Sequence, residues 1–506
     1  MLYTIKHWTI VIACVLAGSL LGGCNKVLEV NSPHLVNETN NWKSIQDTRS
    51  ALLGTYGLMR AALADNNGYW LYGELRNGDF QASGSGDLRA VIAGQLNASY
   101  PSLQALSDWR RFYAVVSSAS IFIDRAGEVL NNDPQYTLLN YKMDVAQVRA
   151  LRAFAYFCMA RIWGDVPLIV TSHDGNFDRK ARTPQQQVLA FAETELLSAV
   201  NDLPYRYGLS TDVNKPQLYY GSTNTTWDGV LINKISAYAM LAHIAAWDSR
   251  YADAAAYANL IMKNYDKAAA GYVTTASLTS PTGFFYNKST SQFFMLSFDW
   301  TNREATVDGH LESLTLAAPL ISKPVPDIYV SADTVLRIFS EPLDERFSID
   351  SAGVAVTPYF TGVTGVKPIF SKIKVIRDGS TDGSLAIYSS GIVFSRLEEI
   401  TLLYAEAMAV LGNRTEAISA MDAVRQKRGL NRYLNGSGDL ITDIFLERRR
   451  ELMGEGWRWF DQVRYQRIKN NNPAFTAMMK QGGIYWPVAQ TALDNNNLLV
   501  QTPYWR

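Results

Sequence analysis

Residues 232–265 and 396–429 repeat one pattern, and that repeat constrains the fold more than any other feature of the chain. Each stretch reads as a helix, a short turn and a second helix. Ala242 and Ala254 stand twelve apart in the first copy, and Ala405 and Ala417 stand twelve apart in the second. Small residues at those points let two paired helices approach closely. The next apolar positions also coincide, Ala258 and Ile261 matching Met421 and Val424. A helical hairpin with a unit of about 34 residues is the tetratricopeptide pattern. The expected fold is therefore mainly α, a tetratricopeptide-like helical-hairpin scaffold.

Helical spacing continues in two blocks, about 47–265 and about 395–468. In the first, 47–64, 109–132 and roughly 138–163 carry apolar residues at helical period. The last two stop at Asn-Asn-Asp-Pro and at Gly164-Asp165-Val166-Pro167. Thr183-Pro184 reads as a cap followed by proline in the first turn, opening a helix over 184–202. Between the blocks, residues 266–394 are richer in Gly, Pro, Ser and Thr. Short segments such as 293–298, 368–376 and 387–395 suggest strands or extended pieces. This is a long irregular, loop-rich insertion with a few short strands, and insertions of that kind are commonly functional.

The first residues carry an address. Lys6 and His7 precede an apolar run over 8–21, closed by Leu21-Gly22-Gly23-Cys24. That is a secretory signal pattern, and its end resembles a bacterial lipobox. Residues 1–23 are expected to be removed as a signal peptide, with Cys24 lipidated and 24–506 forming a single domain. Three acyl chains exceed the two signals that stable anchoring needs. Of the three cysteines, Cys14 lies in the signal and Cys24 takes lipid, so Cys158 stands alone and no disulfide is available within the mature chain. Inside AFAYFCMARIW, Cys158 reads as a small buried hydrophobe.

Forty-seven basic residues balance 47 acidic ones, which gives no electrostatic reason to expect nucleic acid as a partner. Five histidines are scattered without zinc-ligand spacing. Residues Asp378 to Gly383 begin like a calcium loop, but Ser389 stands where a bidentate Glu is required. A surface turn is the better reading, and neither metal nor cofactor is expected. Glu447, Glu451 and Glu455 recur every fourth residue with Arg448, Arg449 and Arg450 interleaved. Such spacing supports ion pairs across helix turns, on a solvated or core-edge face. A hydrolase would instead set two carboxylates roughly 5–9.5 Å apart across a cleft. The chain is not expected to be an enzyme.

Several stretches resemble the SusD/RagB family. They are VRALRAFAYFCMARIWGDVPLI (148–169), RLEEITLLYAEAMAVLG (396–412) with AISAMDAVRQKRG (417–429), ERRRELMGEGWRWFDQVRY (447–465) and YWPVAQTALDNNNLLVQTPYW (485–505). YGELRNGDF (72–80) is a weaker match. The resemblance implies a tetratricopeptide-like scaffold with a loop-rich half that holds ligand. It also implies a cell-surface lipoprotein of the outer membrane in Bacteroidetes-type bacteria, seated over a SusC-type TonB-dependent transporter. Members capture oligosaccharides, or in some cases peptides, without cleaving them. A tetratricopeptide-like envelope adaptor is the reading outside the family.

Sugar rings offer apolar C–H faces and a rim of hydroxyls, so a glycan site should pair flat aromatics with Asp, Asn and Arg on loops. Two stretches have that composition. One runs from Asp65-Asn66-Asn67-Gly68 through Tyr69, Trp70, Tyr72 and Arg76 to Asp79. The other, in the insertion, holds Phe285 and Tyr286, then Trp300, Asn302 and Arg303. In the family, contacts commonly come from the segment after the first helix and from the middle insertion. These ten side chains are the candidate ligand contacts, with Trp70 and Trp300 expected on one surface. Phe293, Phe294, Trp109, Trp163, Trp247, Trp457 and Trp459 read instead as packing residues.

Overall fold

Ten helices of twelve residues or more make the scaffold among the described residues. They are α1 (Ile45–Ala64), α2 (Arg110–Asn132), α3 (Leu138–Trp163), α4 (Gln185–Ala199), α5 (Lys234–Trp247), α6 (Tyr251–Met262), α7 (Leu397–Val410), α8 (Arg414–Arg425), α9 (Leu440–Glu451) and α10 (Arg458–Lys469). The computed structural model describes residues 41–506 except 85, 173–178, 210–214, 300–303, 305, 307, 379–385 and 435–437. The signal segment, Cys24 and most of the calcium-loop-like turn lie outside the described residues.

Successive helices pack pairwise: α1 on α2, α2 on α3, α3 on α4, α5 on α6 and α7 on α8. Helix α6 packs on α7 and so joins the two repeated hairpins across the insertion. Ala242, Ala254, Ala405 and Ala417 are completely buried, as are Ala258, Ile261 and Val424. A methyl at each crossing lets the helix axes close up, which is the arrangement expected of tetratricopeptide-like pairs. Helix α3 is buried around its whole circumference from Ala150 to Trp163, so it is the central element. Thr137 caps its start by accepting from the Asn140 amide at 3.2 Å. Gly164 ends it at φ 74°, a conformation that favours glycine. Cys158 on this helix is buried, and burial pushes its thiol up to about 11.

Two local expectations need correction. Helix α4 begins at Gln185, and Thr183 does not cap it. Thr183 instead pairs its backbone with Val166, and Asp165 accepts from the Gln185 amide at 2.8 Å. The second correction concerns Glu447, Glu451 and Glu455, which are buried rather than solvated. Glu451 meets Arg428 at 2.7 Å, Arg396 at 2.8 Å and Arg346 at 3.0 Å. Glu455 takes Lys372 and Arg396; Glu447 takes Arg346, Arg425 and Arg450. Of these pairs only Glu447–Arg450 runs along the helix. Arg346 and Lys372 come from the insertion, which covers this face of α9 and forces its charges to find partners inside. Burial alone would raise the Glu447 carboxyl, but Arg346, Arg450 and Arg425 bring it down to about 2.

The insertion has little regular structure of its own. Five antiparallel ribbons occur among the described residues, each of two strands two or three residues long. Four pairings draw on the segments 293–298, 368–376 and 387–395 or tie the insertion to distant chain. Met295–Leu296 pairs with Ile392–Val393, and Gln81–Ala82 pairs with Ile328–Tyr329. Ile369–Phe370 pairs with Phe360–Thr361, and Ile376–Asp378 with Ile387–Tyr388. The Gln81 ribbon matters most here, because it fastens the chain that follows α1 to the middle of the insertion.

Candidate functional site

At the end of α1 the chain does not become a loop. It passes through a 3₁₀ turn (Asp65–Asn67) and one helical turn into a π-helix over Leu71–Leu75. Asn66 and Asn67 adopt φ 52° and 55°, the left-handed region that Asn tolerates better than most residues. They break α1 and redirect the chain, which then turns its aromatics inward.

That explains why most candidates in this stretch are buried in the core. Trp70 is 2% exposed, and its indole N–H donates to the Gly454 carbonyl at 3.2 Å. Tyr72 is buried and donates to the Leu106 carbonyl at 2.8 Å. Arg76 is 1% exposed, donates to the carbonyls of Ile484 and Gly483, and lies 4.2 Å over the Trp459 ring. Burial pushes that guanidinium down to about 9. Asp79 is buried between Arg449 and Arg458. Tyr69 is half-buried, with its hydroxyl on the Val393 carbonyl at 3.1 Å. In the insertion, Phe285 is buried against Phe284, and half-buried Tyr286 carries the Arg377 guanidinium 3.5 Å above its ring. Trp300, Asn302 and Arg303 lie outside the described residues. Phe293 and Phe294 are buried, as are Trp109, Trp163, Trp247, Trp457 and Trp459.

The two segments do meet, through other residues. A cavity of about 700 Å³ is lined by Ala61, Ala64, Asp65, Asn66, Asn67 and Leu71 on one side. Phe298, Thr306, Asp308, Gly309, Leu314 and Asp327 of the insertion line the other side, with Asp87, Leu88, Ser102 and Arg111 completing the wall. Asn67 fastens the two sides by accepting from the Gly309 amide at 3.0 Å. Gly309 has φ 85°, and a Cβ there would stand 3.1 Å from Ala64, so glycine permits the close approach. Arg111 reaches Asp65 at 2.8 Å, and Ser102 donates to Asp87 at 2.7 Å. Apolar patches from Leu71, Leu88 and Leu314 alternate with these polar groups, which suits a ligand with both C–H faces and hydroxyls. Sequence reading reached Asp65, Asn66 and Asn67 but missed Asp87, Ser102, Arg111, Asp308 and Asp327. The Asp308-Gly309 turn dipeptide was the available signal.

Behind Phe298 stand three buried polar residues. Ser390 donates to Glu312 at 2.8 Å and meets His310 Nδ1 at 3.1 Å, while Glu312 accepts from the Val375 amide. Burial lowers His310 to about 4 and raises Glu312 to about 7. A nucleophilic triad needs histidine between the hydroxyl and the acid. Here serine is in the middle, and all three residues are buried, so the arrangement orients side chains and does not attack a substrate. Among the described residues no group of three His, Cys, Asp or Glu could hold a metal ion.

The comparisons agree with this architecture. The SusD family model matches residues 374–505. A SusD superfamily protein of Bacteroides thetaiotaomicron, known as a crystal structure, is 46% identical, with 92% of this chain and all of that chain covered and a TM-score of 0.84. A SusD homologue of the same organism is 22% identical over 92% of this chain and 99% of its own, with a TM-score of 0.72, which speaks to the fold alone. SusD-like protein P38 of Formosa agariphila is 24% identical over 99% of both chains. The 46% identity over the full length of the first of these places the chain in a family of non-catalytic binding proteins. The chain belongs to the SusD/RagB family.

Proposed function

We propose that this chain is a glycan-binding lipoprotein of the outer membrane, which holds an oligosaccharide in the cavity between Asn67 and Asp308 and delivers it to a SusC-type TonB-dependent transporter. The observation that carries the reading is the convergence of the segment after α1 with the middle insertion around a cavity of about 700 Å³, within the roughly 300–1,000 Å³ typical of small-molecule sites. Trp300, Asn302 and Arg303 remain proposed contacts, since Phe298 and Thr306 on either side of them both line the cavity. Membrane attachment is assigned to lipid on Cys24. No helix among the described residues is long and apolar enough to cross a membrane.

Calorimetry of the mature chain against a panel of uncharged oligosaccharides tests the reading. At least one should bind, and Trp300→Ala should weaken it about five- to 150-fold, the equivalent of 1–3 kcal/mol by analogy with base–aromatic stacking. Binding that survives Trp300→Ala and every cavity substitution would remove the site from this cavity. Cys24→Ala should leave the protein off the membrane on fractionation.

A further inference from the structure

The cavity's charge is lopsided. Asp65, Asp87, Asp308 and Asp327 line it, against the guanidinium of Arg111, the one basic side chain among the described residues of its wall. Arg111 is engaged by Asp65 at 2.8 Å, and Lys323, just behind, by Asp327 at 2.6 Å. Among the described residues, counting both cations still leaves acids ahead by four to two, and Arg303, proposed above as a contact, would narrow that margin without reversing it. Asp308 is exposed, and no basic side chain among the described residues pairs with it. Nearby groups among the described residues do not redress the balance. Arg60, which lies over the Phe298 ring, is held by Glu304 at 2.9 Å, and His310 behind that ring is buried and uncharged at neutral pH.

We propose that this cavity selects its glycan by charge: it accepts oligosaccharides bearing only hydroxyls or free amines and excludes those bearing carboxylates or sulfates, with Asp308 as the specificity-determining residue. The proposal rests on the reading of the cavity as the glycan site. The physics is that of a concave wall with one sign of charge, which focuses its potential and repels like-charged ligands. An acidic sugar would also leave carboxylate facing carboxylate with water partly excluded, which costs more than the same contact on an open surface. Hydroxyls suffer no such penalty, because an ionised carboxylate is a strong acceptor for their protons.

The charge can be tested without knowing the glycan. Thr306 is exposed and lines the cavity, so Thr306→Cys offers a thiol there, while Cys158 is buried and silent. Modification rates with a cationic and an anionic methanethiosulfonate of similar size are compared, each normalised to its rate with free cysteine. The cationic reagent should be favoured about tenfold or more at low salt, and the preference should fall several-fold with added Asp308→Asn and shrink at high salt. A normalised ratio near one, or one indifferent to Asp308→Asn, overturns the proposal. Calorimetry with cellotetraose, its C6-carboxylated counterpart and fully deacetylated chitotetraose forms the second arm. Tighter binding of the carboxylated sugar than of cellotetraose also overturns it. If no oligosaccharide binds, the glycan reading fails, while the thiol ratio still decides the cavity's charge.

Discussion

Two regions of this molecule are built from the same side chains, and they do opposite things with them. Around α9, Glu447, Glu451 and Glu455 meet Arg346, Arg396, Arg425, Arg428 and Lys372 with almost no solvent contact. At the cavity, Asp65 and Arg111 form a pair at a similar distance but keep 40% and 55% of their side chains exposed. Burial decides the difference. A charge taken out of water must be matched by neighbours fixed in position, so the α9 network ties the insertion to the helices and has nothing left to offer a ligand. A charge left at a cavity wall keeps its hydration and can exchange it for a ligand's hydroxyl. Acids and arginines therefore mark structure in one place and recognition in the other, and composition alone cannot separate the two.

The sharpest way to break this contrast is Glu451→Gln. Three guanidinium groups would lose their shared carboxylate, so stability should fall by about 5 kcal/mol, the upper end of what breaking a buried pair costs. Denaturant unfolding followed by circular dichroism measures it. A loss below about 1 kcal/mol would mean that the network is no more structural than a surface pair. Trp70→Ala comes next. Its indole is core, so about 3–4 kcal/mol of stability should go, while affinity per folded molecule holds. A loss of affinity at unchanged stability would return Trp70 to the ligand surface.

Periodicity made the scaffold legible. Ala242, Ala254, Ala405 and Ala417 mark helix crossings because the α-helix enforces one spacing, and that spacing survives in sequence. The site was legible only as a pair of segments. Asp65-Asn66-Asn67 and the insertion do converge, but Trp70, Tyr72 and Phe285 within them are buried in the core. The polar run after α1 lacked apolar periodicity and so looked like loop. It is a 3₁₀ turn and a π-helix, whose altered pitch carries Trp70 and Tyr72 inward. Nothing local encodes that change of pitch. The buried state of Glu451 was hidden for a related reason, since its partners Arg346, Arg396 and Arg428 are 105, 55 and 23 residues away.

A smaller effect sharpens the comparison through pH. Asp144 is buried, and burial raises its carboxyl to about 7 although Tyr136, Tyr219 and Tyr220 donate to it. This is the reverse of Glu447. Between about pH 4 and 7 the folded chain keeps a proton on Asp144 that the unfolded chain has released, so this residue makes stability fall as pH rises, by roughly 1.4 kcal/mol per pH unit. Glu447 works the other way, contributing stability above its unfolded value of 4.5 that is lost as pH falls toward 2. Urea melts of wild type and Asp144→Asn at several pH values isolate the Asp144 slope. Parallel curves from pH 4 to 7 would refute it.

The smallest expected effect lies at the cavity pair itself. A double-mutant cycle on Asp65→Ala and Arg111→Ala should give a coupling of only about 0.2–1 kcal/mol, because both groups are well hydrated and the long arginine side chain loses freedom on pairing. The coupling should fade as salt is raised from low ionic strength toward 1 M, where the screening length drops to about 3 Å. The same cycle on Glu451 and Arg428, which meet at 2.7 Å with neither side chain exposed, should give a coupling several-fold larger and insensitive to salt. Distance is nearly constant across the two cycles, so any difference between them reports burial. Equal couplings, or a salt-insensitive value for Asp65 and Arg111, would mean that the cavity wall is as rigidly committed as the α9 network and has no charge to spare for a ligand.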